Sequence, residues 1–116
     1  MKSRIYHNPR CSKSRTTLEL LRTRGIEPEV IEYLKTPPPT QALKELLGKL
    51  GLEPRDIVRT GEAEFKESGI DLSAADDDTV LALIADHPKI LQRPIVETER
   101  AARIGRPPEQ VLELFE

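Results

Sequence analysis

SRIYHNPRCSKSRTTLELLRTRGIEPEVIEYL, residues 3–34, reads as strand, turn, helix, stop and strand in that order. Residues 3–7 form a short strand and Asn8-Pro9 turns the chain. Residues 12–24 then gather Thr17, Leu18, Leu20 and Leu21 on one apolar stripe at helical spacing, with Gly25 as the stop. Residues 29–34, Glu-Val-Ile-Glu-Tyr-Leu, are β-branched and aromatic and predict a second strand. A strand–helix–strand unit of about 30 residues is the length of a parallel βαβ crossover.

Downstream, Pro37-Pro38-Pro39 punctuates the chain. Thr40 is expected to cap a helix through about Leu50, with Leu43, Leu46, Leu47 and Leu50 on one face and Gly51 at its end. A short helical piece is expected around Pro54–Val58, another over Glu62–Ser68 stopped by Gly69, and a third from about Asp76 to Asp86. Asp76, Asp77 and Asp78 suit the positive end of that helix, which explains the acidic run without a function. Residues 88–97 turn strand-like, Thr98–Arg100 make a polar turn, and Ala101–Ile104 complete a hairpin. Gly105-Arg106-Pro107-Pro108 opens a last helix with Val111, Leu112, Leu114 and Phe115 on its apolar face. The order is β-α-β, a helical block, then β-β-α. This predicts an α/β (α+β) fold with a mixed sheet, parallel in its first half and antiparallel in its second, in the thioredoxin-like arrangement.

Cys11 is the single cysteine, and it stands at the mouth of the first helix among Arg10, Lys13 and Arg15. Unpaired backbone N–H groups and the helix dipole favour negative charge there. With the neighbouring cations they should lower the thiol pKa from its free value of about 8.5. The same N–H groups can cradle an oxyanion. The competing reading is a buried small hydrophobe. Arg59, Arg93 and Arg106 each lie at an element boundary, where side chains converge on a cleft. Arginine is always charged and offers a fork of donors that fits a tetrahedral oxyanion. Arg93-Pro94 precedes a strand and is a candidate cis peptide.

A thiolate ringed by arginines can attack phosphate, arsenate or a disulfide. A two-electron reduction by thiols consumes two sulfurs, and the residue three beyond Cys11 is Ser14. Any reduction therefore borrows its second thiol from outside. A phosphatase needs no second thiol, and Arg15, four residues on, keeps that option weakly open.

The 116 residues bound one domain. Aromatics are limited to Tyr6, Tyr33, Phe65 and Phe115, so the core must be mostly Leu, Ile and Val. A formal net charge of −2 gives no nucleic-acid bias, although residues 1–25 hold seven Lys/Arg against one Glu. No apolar run approaches the ~20 residues of a membrane helix, and the start lacks a signal-peptide core. With no internal disulfide available, these features favour a cytoplasmic setting. His7 and His87 are too few and too far apart in sequence for a metal site. The compact charged composition suggests a monomer.

Ile5-Tyr-His-Asn-Pro-Arg-Cys-Ser-Lys-Ser-Arg15 resembles the opening motif of the glutaredoxin-linked arsenate reductase family (ArsC type). Tyr33-Leu34 before the prolines is similar to that family's second strand and exit. Arg59, Gln92-Arg93-Pro94-Ile95-Val96 and Ile104-Gly105-Arg106-Pro107 resemble its three arginine motifs, in order, across nearly the whole chain. The resemblance implies one thioredoxin-like domain over 1–116 with a helical insert at about 36–88. It implies that Cys11 attacks arsenate while Arg59, Arg93 and Arg106 hold the oxyanion. Glutathione as co-substrate and glutaredoxin as partner then complete the reduction to arsenite, with no bound cofactor, metal, nucleic acid or membrane. Pro94 would be the cis-proline facing the cysteine. His7 would tune the thiolate or serve strand packing. Ser14 and Ser12 would donate hydrogen bonds to the sulfur or cap the helix. The chain ends just after the last helix, and Ser-Lys-Ser follows the cysteine, so the resemblance is to a short branch. A glutathione-dependent oxidoreductase of another substrate fits the same thiol. A redox regulator binding RNA polymerase would be expected to carry Cys-x-x-Cys, whose second half is Ser14 here.

Overall fold

The computed structural model describes residues 2–116. They divide into two units, one built from the residues up to Thr36 together with Arg93–Glu116, the other from Pro37–Gln92.

The first unit contains β1 (Ser3–His7), α1 (Ser12–Thr23), β2 (Glu29–Glu32), β3 (Ile95–Thr98), β4 (Ala102–Ile104) and a 3₁₀ helix over Pro108–Phe115. The sheet order is β2-β1-β3-β4. β1 runs parallel to β2, and β3 is antiparallel to both β1 and β4. This is the thioredoxin-like mixed sheet expected from the sequence. β2 stops at Glu32, so Tyr33, fully buried, and Leu34 lie beyond the strand. Thr98 belongs to β3 rather than to the turn, and β4 begins one residue later than expected. The terminal helix is 3₁₀ rather than α. Over eight residues, apolar positions at 111, 112, 114 and 115 fit a period of 3.0 about as well as 3.6, so spacing could not separate them.

Ile5 pairs with Val96 across β1 and β3, and both side chains join Leu18, Leu21 and Val111 in one buried cluster. The α1 stripe is thus seated on the sheet through Thr17, Leu18 and Leu21. Leu20 instead lies half-buried on a surface groove with Arg15, Thr16, Glu19 and Thr23. Leu21 is fully buried, so Leu21→Ala should cost about 2–5 kcal/mol, readable as a lower midpoint in urea at unchanged m. On the opposite sheet face Arg4 stands across from Glu97. The Tyr6 hydroxyl donates to Glu97 Oε1 at 3.2 Å, and Arg4 Nε lies 3.8 Å from the same oxygen. Burial first, then the Glu97 charge, pushes the Tyr6 hydroxyl up to about 12, against the pull of Arg4. Tyr6 is therefore a proton donor throughout the physiological range.

The second unit contains α2 (Thr40–Leu50), a 3₁₀ turn at Pro54–Ile57, α3 (Ala63–Ser68), α4 (Asp77–Asp86) and a 3₁₀ turn at Pro88–Ile90. Leu43, Leu46, Ile57, Val80, Ile84, Ile90 and Leu91 are buried. Pro39, not Thr40, occupies the N-cap of α2, because Thr40 already has helical geometry. Gly51 ends that helix at φ 71°, a conformation costly for any side chain, with its N–H on Leu47 O. Asp76 caps α4 by accepting from Thr79 N–H at 2.8 Å, in keeping with a structural role for the acidic run. Of the strand-like stretch 88–97 only the last three residues join the sheet, in β3; Pro88–Ile90 is a turn of 3₁₀ helix. Among the described residues no helix is long and apolar enough to cross a membrane.

Candidate active site

β1 delivers the chain to a tight loop before α1. Asn8 shapes that loop three times over. Its carbonyl accepts from Cys11 N–H at 3.0 Å, its Oδ1 accepts from Arg10 N–H at 3.0 Å, and its own N–H donates to Ser14 Oγ at 3.0 Å. Cys11 lands on the N-cap of α1 with extended backbone, φ −92° and ψ 122°, and Arg15 N–H bonds its carbonyl. The thiol is partly exposed, so a solute can reach it.

Two arginines from the far end of the sequence reach the same sulfur. Arg106 Nη2 donates to Cys11 Sγ at 3.7 Å. Arg93 also hydrogen-bonds the thiol. Burial pushes the Cys11 thiol up, but the Ser14 N–H, the Arg93 guanidinium and the Lys13 N–H together hold it below its ordinary range. Two of these three are the helix N-terminal N–H groups expected from the loop–helix position. The third corrects the sequence reading. Arg93 supplies the cationic help, whereas Arg10 and Lys13 are exposed and Arg15 turns back to donate to Pro9 O at 3.0 Å.

Arg106 and its loop are held in place by the backbone of Arg93 and Pro94. Its Nε donates to Arg93 O at 2.7 Å, and Gly105 N–H donates to Pro94 O at 2.9 Å. The Arg93–Pro94 bond is cis, as its place before a strand suggested, and so is Arg106–Pro107.

The supporting residues take different parts from those expected. The Ser14 hydroxyl is fully buried, 2.6 Å from His7 Nδ1 and bonded by Asn8 N–H. It is engaged with the strand and loop, so Ser14 favours the thiolate through its N–H and not its side chain. His7 is buried on β1; burial, with Arg15 and Arg22, pushes its pKa below the usual range against the pull of Glu32. A neutral His7 fastens the first turn of α1 to β1. Ser12 is exposed and gives α1 no side-chain cap. Asn8, which composition and spacing left as a mere turn residue, organises the whole loop.

Arg59 belongs to the second unit. There it follows the bridge between Val58 and Leu91, its N–H bonds Ile90 O, its Nη1 donates to Gln92 Oε1 at 3.2 Å, and its Nε lies 3.6 Å from Glu62.

The model of the ArsC family matches residues 6–114, a span that takes in the cysteine loop and all three arginine motifs. This chain belongs to the ArsC family. An arsenate reductase of Neisseria meningitidis serogroup A is 49% identical over 109 residues, covering 93% of each chain. An uncharacterized protein of Escherichia coli K12 is 48% identical over 112 residues, covering 96% of this ArsC protein and 94% of that relative. The solved structure of an arsenate reductase from Vibrio cholerae superposes with a TM-score of 0.93 at 52% identity, covering 97% of each chain.

What this ArsC site can do follows from its parts. A thiolate at a helix N-terminus is a nucleophile available near neutral pH. Two guanidinium groups beside it can bind a tetrahedral anion and neutralise charge that builds up as sulfur attacks.

Proposed function

We propose that this protein is an arsenate reductase in which the Cys11 thiolate attacks the arsenic of arsenate. A sulfur–arsenic bond forms and one arsenate oxygen leaves as water. Arg93 and Arg106 bind the remaining oxygens and stabilise their charge in the transition state. The arginine at 59 is assigned to the same oxyanion on its motif in the family resemblance alone. The observation that carries the reading is Arg106 Nη2 at 3.7 Å from Sγ, with Arg93 bonded to the same thiol. The arsenate reductases among its relatives supply the substrate.

Electron balance sets the rest. Arsenic falls from the +5 to the +3 state by taking two electrons, which two thiols provide by becoming one disulfide. Cys11 is the only cysteine, so both electrons come from outside if the enzyme is to turn over. Glutathione is proposed to add to the thioarsenate, displacing a second oxygen as water, and glutaredoxin to take the glutathione sulfur as a mixed disulfide, leaving the electron pair of that sulfur–arsenic bond on arsenic. Water then cleaves the remaining sulfur–arsenic bond, so that arsenite leaves and Cys11 returns as thiol. This assigns the monomer to the cytoplasm, where such thiols are kept reduced.

The test is arsenate-dependent NADPH oxidation in a mixture of the protein, glutathione, glutaredoxin and glutathione reductase. Turnover that requires all of them is expected. Arsenite formed with another thiol in place of glutathione and glutaredoxin would replace the proposed reductant, and no arsenate-dependent oxidation would remove the substrate.

A further inference from the structure

Gly105 sits where three parts of the site meet, and it is buried. A Cβ placed on it would lie 2.6 Å from Thr17 Oγ1, 2.8 Å from Pro94 Cγ and 3.2 Å from Thr17 Cγ2. Thr17 is on α1, the helix that carries Cys11, and is itself fully buried, its hydroxyl donating to Lys13 O at 2.8 Å. Pro94 follows Arg93, the other cation on the sulfur. On either side of this contact, Gly105 N–H bonds Pro94 O and Arg106 Nε bonds Arg93 O. The backbone conformation of Gly105 is not left-handed. Space rather than torsional freedom therefore demands glycine here.

We propose that Gly105 is a positioning residue: its bare Cα lets the Arg106 loop close against Thr17 and Pro94, which sets the reach of Arg106 to the Cys11 sulfur. The proposal rests on the oxyanion site described above and names what places one of its two cations. Any side chain at 105 must move the loop away from α1 or tilt α1 away from the loop. Both motions lengthen the Arg106–Cys11 contact, while the thiol itself stays on its helix.

The readout separates guanidinium position from general damage. Iodoacetate carries a carboxylate and iodoacetamide does not, so the ratio of their alkylation rates at Cys11 reports cations near the sulfur. In Gly105→Ala that ratio should fall about fivefold, the effect of one charge moved away from ~4 Å in water. Arsenate kcat/KM should fall by about 10- to 100-fold, as expected for a misplacement of about 1 Å. Adding Thr17→Ala removes two of the three crowding atoms, so the double variant should recover part of both losses. If Gly105→Ala does not fold, Thr17→Ile pushes the same loop from the α1 side and should lower the ratio likewise.

A merely structural role would lower Tm and leave the ratio of the folded protein at its wild-type value; that result overturns the proposal. A ratio that falls in Gly105→Ala but is not restored in the double variant overturns it too, because the contact with Thr17 would then not be the cause. Wild-type protein without arsenate turnover sinks the arsenate reading, yet the alkylation ratio still decides the role of Gly105.

Discussion

Cys11→Ser is expected to abolish arsenate-dependent NADPH oxidation, a loss of more than ~10³-fold, while leaving the fold and its thermal midpoint nearly unchanged. The hydroxyl of serine is not ionised near neutral pH, and neither Arg93 nor Arg106 can make it a comparable nucleophile. The thiol is partly exposed and accepts from Arg106 at 3.7 Å, so the exchange of sulfur for oxygen removes chemistry more than packing. A Cys11→Ser protein with unchanged turnover would end the covalent route.

Arg93→Ala carries the second large effect, and it acts on two observables at once. Each oxyanion donor removed from an active site typically costs on the order of 10²–10³ in rate. Arg93 also hydrogen-bonds the Cys11 thiol and adds its charge there, both of which hold the thiol down. Its loss leaves burial, which pushes the other way, opposed only by the Ser14 and Lys13 N–H groups and the remaining cation. The thiol pKa should therefore move upward, and the acid limb of the activity profile should move with it. The check is kcat/KM against pH for both proteins, beside the rate of Cys11 alkylation. Wild-type kinetics in Arg93→Ala would remove that residue from the site.

Much of this molecule is legible in its sequence, for physical reasons that can be named. The 3–34 segment declares itself because its apolar periods change from strand to helix to strand between clear breakers, and the helix is seated through Thr17, Leu18 and Leu21. Cys11 is conspicuous because a lone thiol at a helix mouth has few other reasons to sit among basic residues. The prolines at 94 and 107 mark the loops that bring Arg93 and Arg106 forward.

What stayed hidden is tertiary. Local charge drew attention to Arg10, Lys13 and Arg15, yet the cation that lowers the thiol pKa is Arg93, remote in sequence and brought close by the antiparallel pairing of β1 with β3. Nothing in the string distinguishes a serine whose hydroxyl faces a thiolate from one spent on His7 and Asn8. The tight fit at Gly105 is likewise invisible until Thr17 and Pro94 are seen to converge on it. Period alone could not tell a 3₁₀ from an α helix at Pro108–Phe115.

A thiolate held ready beside two arginines for an oxyanion is tested by the rate of Cys11 alkylation by iodoacetamide across pH, with and without arsenate. The expected result is a midpoint below the ordinary thiol range of about 8.5 and a slower reaction when arsenate is present. A midpoint at or above that range, with no protection by arsenate, would contradict it.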